Sequence, residues 1–256
     1  DNGILVYNYR TDKYEQPETD FPTDVRTMAL QGDTLWIGSL NGLYTYQLNT
    51  KKLASLDSKS NGLPHHTIYS IIRTTDNQIY IGTYNGLCRY IEESGKFENI
   101  PLPVNRNVSN LFVNSLLEDT SRQCIWIGME GSLFQYTPAT GLMKPIDAFH
   151  NNSIKSLALD GDGNLLAGTD NGLYVYQNDN GTLQHIVHDS RNIQSLTNNI
   201  IWNIFADQEQ NIWLGTDYGI SLSRYNSALQ FIPISQITGT GDGNQFYSLF
   251  RDSKGF

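Results

Sequence analysis

The chain is 256 residues long, 39% hydrophobic and 11% aromatic, enough apolar material for a sizeable core and too much Tyr, Trp and Ile for a disordered polymer. Only 17% of residues are charged, and 17 Lys and Arg against 26 Asp and Glu leave a net charge of −9. That balance argues against a surface built to displace counterions from a nucleic-acid backbone. No apolar run reaches the roughly 18 to 20 residues of a membrane span and the first residues carry no signal-peptide pattern, so this segment is expected to make no membrane contact.

The first element, Asn2-Gly3-Ile4-Leu5-Val6-Tyr7, reads as the third strand of a four-stranded unit, and residues 1–24 as part of one. From there one pattern recurs. A β-branched or large apolar residue stands at Val25, Ile68, Val113, Ile154, Ile201 and Phe246. Two residues on comes a small polar one (Thr27, Ser70, Ser115, Ser156, Asn203, Ser248), then an apolar one (Met28, Ile71, Leu116, Leu157, Ile204, Leu249). After a polar turn follows a tripeptide: Trp36-Ile37-Gly38, Tyr80-Ile81-Gly82, Trp126-Ile127-Gly128, the weaker Leu166-Ala167-Gly168, and Trp213-Leu214-Gly215. These glycines step by 44, 46, 40 and 47 residues. Four residues later stands Gly42, Gly86, Ser132, Gly172 or Gly219, preceded by Asn41, Asn85 and Asn171, and Asn-Gly tolerates the positive φ angles of a tight hairpin. An alternating segment then ends at Tyr46, Tyr90, Tyr136, Tyr176 or Tyr225.

Short β-branched and aromatic runs between regular turns predict an all-β chain. In the second copy the strands are expected at Thr67–Thr74, Gln78–Thr83, Leu87–Glu92 and Lys96–Pro101. Tandem four-stranded antiparallel units of this size are the blades of a β-propeller, and one blade cannot bury both faces without neighbours. The small polar position fits the innermost strand, where sheets crowd together. The expected architecture is one propeller over 1–256. It has a partial blade at 1–24, complete blades at about 25–64, 65–106, 107–150, 151–197 and 198–240, and a partial blade at 241–256. The two partial blades either close a six-bladed ring or mark an excerpt of a longer propeller.

The run Ile201-Trp202-Asn203-Ile204, Asp207, Asn211-Ile212-Trp213-Leu214-Gly215-Thr216, Gly219-Ile220 resembles the two-component regulator propeller repeat, and Ile68 to Tyr90 is the next clearest copy. The third copy departs from the pattern with Gly131-Ser132 at the turn, and the fourth lacks the Trp. The resemblance implies the extracytoplasmic, periplasmic sensor region of a hybrid two-component system of the kind common in gut Bacteroidetes. In that family propellers precede a membrane helix, a histidine kinase and a response regulator, and many members sense oligosaccharides from glycan breakdown. It implies an oligosaccharide ligand, no cofactor, and as partners the further propeller, linker and kinase domains of the same polypeptide; a homodimer is left open. Kinase chemistry would lie in domains outside this sequence, so this segment is expected to be non-catalytic.

Equivalent positions that vary among repeats are free of the scaffold's demands. One such column is Arg26, Tyr69, Asn114, Lys155, Trp202 and Tyr247, just after the start of each innermost strand. In a propeller these would ring one mouth of the channel, and their types hydrogen-bond hydroxyls or stack on a sugar face. They serve equally well as a solvated channel wall. Loops on the same face offer His66, with His65 beside it, and Arg106; after the tripeptides come Tyr84, Glu130, Asp170 and Tyr218.

Other chemistry finds less support. The turn Asp160-Gly161-Asp162-Gly163-Asn164 opens like a calcium loop, but Asn171 stands where the bidentate Glu is needed. His185 and His188, three apart in an expected strand, point to opposite faces, so no metal site is assigned. Glu92 and Glu93 diverge in the same way and make a poor acid/base pair for glycoside cleavage. Cys88 and Cys124 read either as a disulfide or as two buried thiols. A propeller-fold polysaccharide lyase or glycosidase, and a protein-interaction scaffold, are the competing readings.

Overall fold

The structure, a computed structural model, describes residues 4–56, 61–103, 111–149, 152–177, 180–225 and 231–233. Tyr247, Arg106 and the 241–256 partial blade therefore lie outside the described residues. The chain divides into two compact units, Asp1–Thr120 and Ser121–Phe256.

A two-stranded antiparallel sheet comes first, β1 (Val6–Asn8) with β2 (Lys13–Glu15). Five four-stranded sheets follow, their strands ordered as in the sequence. They are β3 (Val25–Gln31), β4 (Thr34–Ser39), β5 (Gly42–Gln47), β6 (Lys52–Leu56); β7 (Ile68–Arg73), β8 (Ile79–Thr83), β9 (Gly86–Ile91), β10 (Lys96–Ile100); β11 (Val113–Asp119), β12 (Cys124–Met129), β13 (Ser132–Thr137), β14 (Leu142–Pro145); β15 (Ile154–Leu159), β16 (Leu165–Thr169), β17 (Gly172–Tyr176), β18 (Leu183–Ile186); and β19 (Ile201–Ala206), β20 (Ile212–Thr216), β21 (Gly219–Ser223), β22 (Phe231–Pro233). The fold is an all-β propeller of four-stranded antiparallel blades. Among the described residues no helix is long and apolar enough to cross a membrane.

The core lies between blades. In the first unit Trp36 and Leu43 of one blade pack with Ile68, Ile71, Ile81 and Phe97 of the next. In the second unit Ala158, Leu166 and Val175 pack with Ile201, Ile204, Leu214 and Phe231. Each repeated residue has a place in that contact. The tripeptide Trp meets the terminal Tyr of the following blade, Trp36 with Tyr90 at 4.7 Å between centroids and Trp126 with Tyr176 at 6.3 Å. The tripeptide Gly admits the following blade's β-branched residue: a Cβ on Gly38 would come 2.5 Å from Ile68 Cγ2, and one on Gly168 2.7 Å from Ile201 Cγ2. The small polar position bonds across blades as well. Thr27 Oγ1 accepts the Ile71 amide at 3.2 Å, Ser156 Oγ accepts the Ile204 amide at 3.0 Å, and Ser70 Oγ donates to the Val113 carbonyl at 3.2 Å.

The hairpin after the tripeptide is closed by a buried hydroxyl. Thr83 Oγ1 donates to the Gly86 carbonyl and accepts the Asn85 amide, and Thr169 repeats this with Gly172 and Asn171. Only the glycine of each Asn-Gly pair takes a positive φ, +113° at Gly86 and +101° at Gly172. In the third blade the positive φ, +75°, moves one residue earlier to Gly131, while Met129 still pairs with Ser132.

Cys88 and Cys124 are both buried thiols and form no disulfide, and burial raises the Cys88 thiol well above its ordinary range. β18 ends at Ile186, so His188 lies beyond the strand in which it was expected; its Nδ1 contacts the Leu196 carbonyl, and His185 stacks on Tyr174. Asp160 spends its carboxylate on its own turn, accepting the amides of Asp162 and Asn164 and the Asn164 side chain.

Candidate functional site

The variable column coincides with a backbone irregularity that repeats. In four inner strands the pairing skips one residue, between Val25 and Thr27, Ile68 and Ser70, Ile154 and Ser156, and Ile201 and Asn203. The skipped residues are Arg26, Tyr69, Lys155 and Trp202. A bulge leaves its extra residue out of the ladder and re-aims the side chain. The position that varies between blades is thus the one the sheet does not need.

In the first unit Arg26, Tyr69, Tyr84 and His66 come together, joined by two residues from neighbouring loops. His66 stacks on His65 at 4.3 Å between centroids, His65 lies 4.9 Å from Tyr84, and Tyr84 meets Phe112 edge-on at 4.2 Å. Phe112 reaches Tyr69 at 5.8 Å, completing a file of five rings. Backbone bonds pin the loops: the Tyr84 amide donates to Thr67, and the Gly86 amide to Leu111. Burial pushes the Tyr69 phenol up; the exposed Arg26 guanidinium opposes that and Tyr84 adds to it. His65 Nδ1 accepts the Thr67 amide at 3.0 Å, which requires an unprotonated nitrogen there. Burial, then the neighbouring His66, holds His65 below its ordinary value. Asn114 is half-buried on β11.

In the second unit Lys155 Nζ sits 4.5 Å above the Trp202 ring, a cation–π contact. The indole N–H donates to Asp217 Oδ1 at 3.1 Å, and the Asp217 amide is tied to the Ile200 carbonyl. Tyr218 is exposed, its amide bonded to Thr216 Oγ1. Asp217, not Tyr218, is the counterpart of Tyr84, since Thr216 pairs with Gly219 as Thr83 pairs with Gly86. Counting two residues from each tripeptide glycine finds it. Phe112 carried no such signal, because it precedes the repeated Val113 and reads as loop. Glu130, on the same column as Asp217, is bonded to Ser153 Oγ at 2.6 Å. A separate shallow cleft, lined by Ile4, Gln16, Pro17, Glu18, Thr19, Asp20 and Phe21, shares no residue with either group.

Chemically, each unit presents an aromatic surface edged by a cation and by hydrogen-bonding groups. Such a surface packs against the apolar face of a ring and bonds its polar substituents.

Stacked four-stranded blades, with tripeptide and hydroxyl contacts between them, define the chain as a β-propeller. Residues 62–85 and 195–218 match the family described as Two component regulator propeller, and the chain carries that family's repeat. It is similar over its whole length to the extracellular domain of BT4673 from B. thetaiotaomicron, at 82% identity and a TM-score of 0.86, covering 35% of that chain. A second structure of the BT4673 domain, which names it a hybrid two component system, matches at 83% identity and a TM-score of 0.86 over 99% of this chain and 34% of its own. The chain is also 28% identical to Histidine kinase P4 of Formosa agariphila over 95% of its own length and 19% of that protein. It therefore spans about a third of the solved extracellular domains and a fifth of the kinase. Virginiamycin B lyase of Staphylococcus aureus, 15% identical with a TM-score of 0.70 over 93% of this chain and 78% of that one, shares the fold.

Proposed function

We propose that this propeller belongs to the periplasmic sensor region of a hybrid two-component signalling protein and reads an oligosaccharide released by glycan breakdown, doing no chemistry of its own. The observation that carries the reading is the bulge repeated at four inner strands. It frees Arg26, Tyr69, Lys155 and Trp202 from the ladder, and all four join one or other of the two aromatic groups. The likeness to the BT4673 extracellular domain and to a histidine kinase supports the sensor assignment, with further propeller, linker and kinase domains of the same polypeptide as partners. Ligand would act by binding one arrangement of the propeller and its neighbours better than another, since only differential affinity moves an equilibrium.

The test is calorimetric titration of the whole extracellular region against defined oligosaccharides. Trp202→Ala and Tyr84→Ala are each expected to weaken binding about tenfold, roughly 1.4 kcal/mol, with Trp202→Phe recovering part of the loss. Unchanged affinity in both alanine variants would remove these residues from the reading face. Release of reducing sugar by the purified protein would instead favour a lyase or glycosidase.

A further inference from the structure

Trp202 stands half-buried on the bulge of β19, with its indole N–H donated to Asp217 Oδ1 at 3.1 Å and Asp217 itself tied by its amide to the Ile200 carbonyl. The ring therefore has a set orientation. Lys155, on the bulge of β15 in the blade before, holds its ammonium 4.5 Å from the ring centroid. Nothing comparable fixes the lysine. Among the described residues its ammonium makes no hydrogen bond and no ion pair, and the indole face is what it meets.

The other cation–π contact among the described residues is built differently. Arg122 lies 5.7 Å from the Trp126 centroid, but its Nη2 also donates to the Gly163 carbonyl at 2.9 Å, and Trp126 is buried. That pair is a fixed part of the packing between two blades, whereas Lys155 and Trp202 are a fixed ring under a loosely held cation. An ammonium with no protein acceptor keeps its water. The indole face it covers is thus the one open to solvent, and that is the face on which the ring of a ligand would stack.

We propose that Lys155 is a displaceable cap on the Trp202 platform: it covers the indole in the free protein and must swing aside, on its flexible four-carbon stem, before a ligand ring can pack there. The identity of that ligand rests on the oligosaccharide reading above, whereas the cap rests on the contact between Lys155 and Trp202. Its consequence is selectivity. Apparent affinity is the intrinsic affinity scaled by the fraction of molecules whose platform is open. A ring that covers the indole face offsets the lost cation contact; a solute that touches only its edge does not. Because Asp217 holds the indole by its edge, the platform stays in place when the cap leaves.

The experiment uses the whole extracellular region and two substitutions expected to act in opposite directions. Acrylamide, a neutral quencher of tryptophan fluorescence, reads access to the indole without any ligand. Lys155→Ala is expected to raise quenching. Lys155→Arg is expected to lower it, since a planar guanidinium stacks more closely on an indole. Both differences should vanish in a Trp202→Phe background. Calorimetric titration with the same defined oligosaccharides should then give an affinity about two- to fivefold higher in Lys155→Ala than in the parent, and a lower one in Lys155→Arg. Equal quenching in the parent and both variants overturns the cap. So does equal or weaker binding in Lys155→Ala, weaker binding making the lysine a contact of the ligand. Quenching in the expected order, with no oligosaccharide bound, supports the cap and overturns the oligosaccharide reading instead.

Discussion

At Gly82 a single hydrogen atom stands where any other residue would place carbon 2.3 Å from Ser70 Oγ and 2.6 Å from Val113 Cγ1. Its backbone φ is ordinary, so the requirement comes from the adjacent inner strand and the neighbouring blade and not from the turn. Gly82→Ala is expected to destabilise by about 1–3 kcal/mol through overpacking, read as a lower denaturation midpoint; an unchanged midpoint would mean the blades separate easily. His65 offers a second test at this scale. Its folded-state pKa lies below the ordinary 6.5, so its contribution to stability is complete above that value and is lost as pH falls through the lowered pKa. Titration of the imidazole by NMR should find it below 6.5, and His65→Gln should flatten the pH dependence of stability in that window.

Among elements, an aspartate organises the connection between first and second strands in two blades. Asp207 takes the amides of Glu209 and Asn211, the Asn211 side chain and the Trp213 indole N–H, repeating what Asp160 does in the blade before. Burial alone would raise the Asp207 carboxyl, but these donors, Trp213 foremost, hold it below its ordinary 3.8. A carboxyl depressed in the folded state stabilises at pH above its unfolded value and loses that contribution as pH falls through the folded one. The melting temperature should therefore drop on acidification below about pH 4, and less steeply in Asp207→Asn; identical acid profiles would show that the turn is dispensable. These turns were legible because Asp-x-x-x-Asn is a local pattern. The bulges were not: a skipped residue in an inner strand depends on how β4 or β8 pairs with it, and alternation of side chains carries no mark of it.

For the whole molecule, the charge of −9 sets an expectation about the ligand. Lys155 faces the Trp202 ring, whose indole N–H is held by the Asp217 carboxylate, so that group contains one cationic and one anionic side chain. Binding of a neutral oligosaccharide should change less than about twofold between low and high salt, because screening acts on exposed charges and hardly on stacking. A steep loss with salt would identify an anionic glycan instead.

The sequence by itself determined the repeat, the strand count of each blade, the tripeptide glycine and the column of variable residues. All of these follow from local periodicity and turn chemistry, which a chain displays within a few residues. Only the tertiary structure decided that the column sits on bulges, that Phe112 bridges Tyr84 and Tyr69, and that Asp217 anchors Trp202. The physical reason is separation along the chain. The bulges and the Trp202–Asp217 bond arise when strands of one blade pair, and the Phe112 contacts arise when one blade stacks on the next.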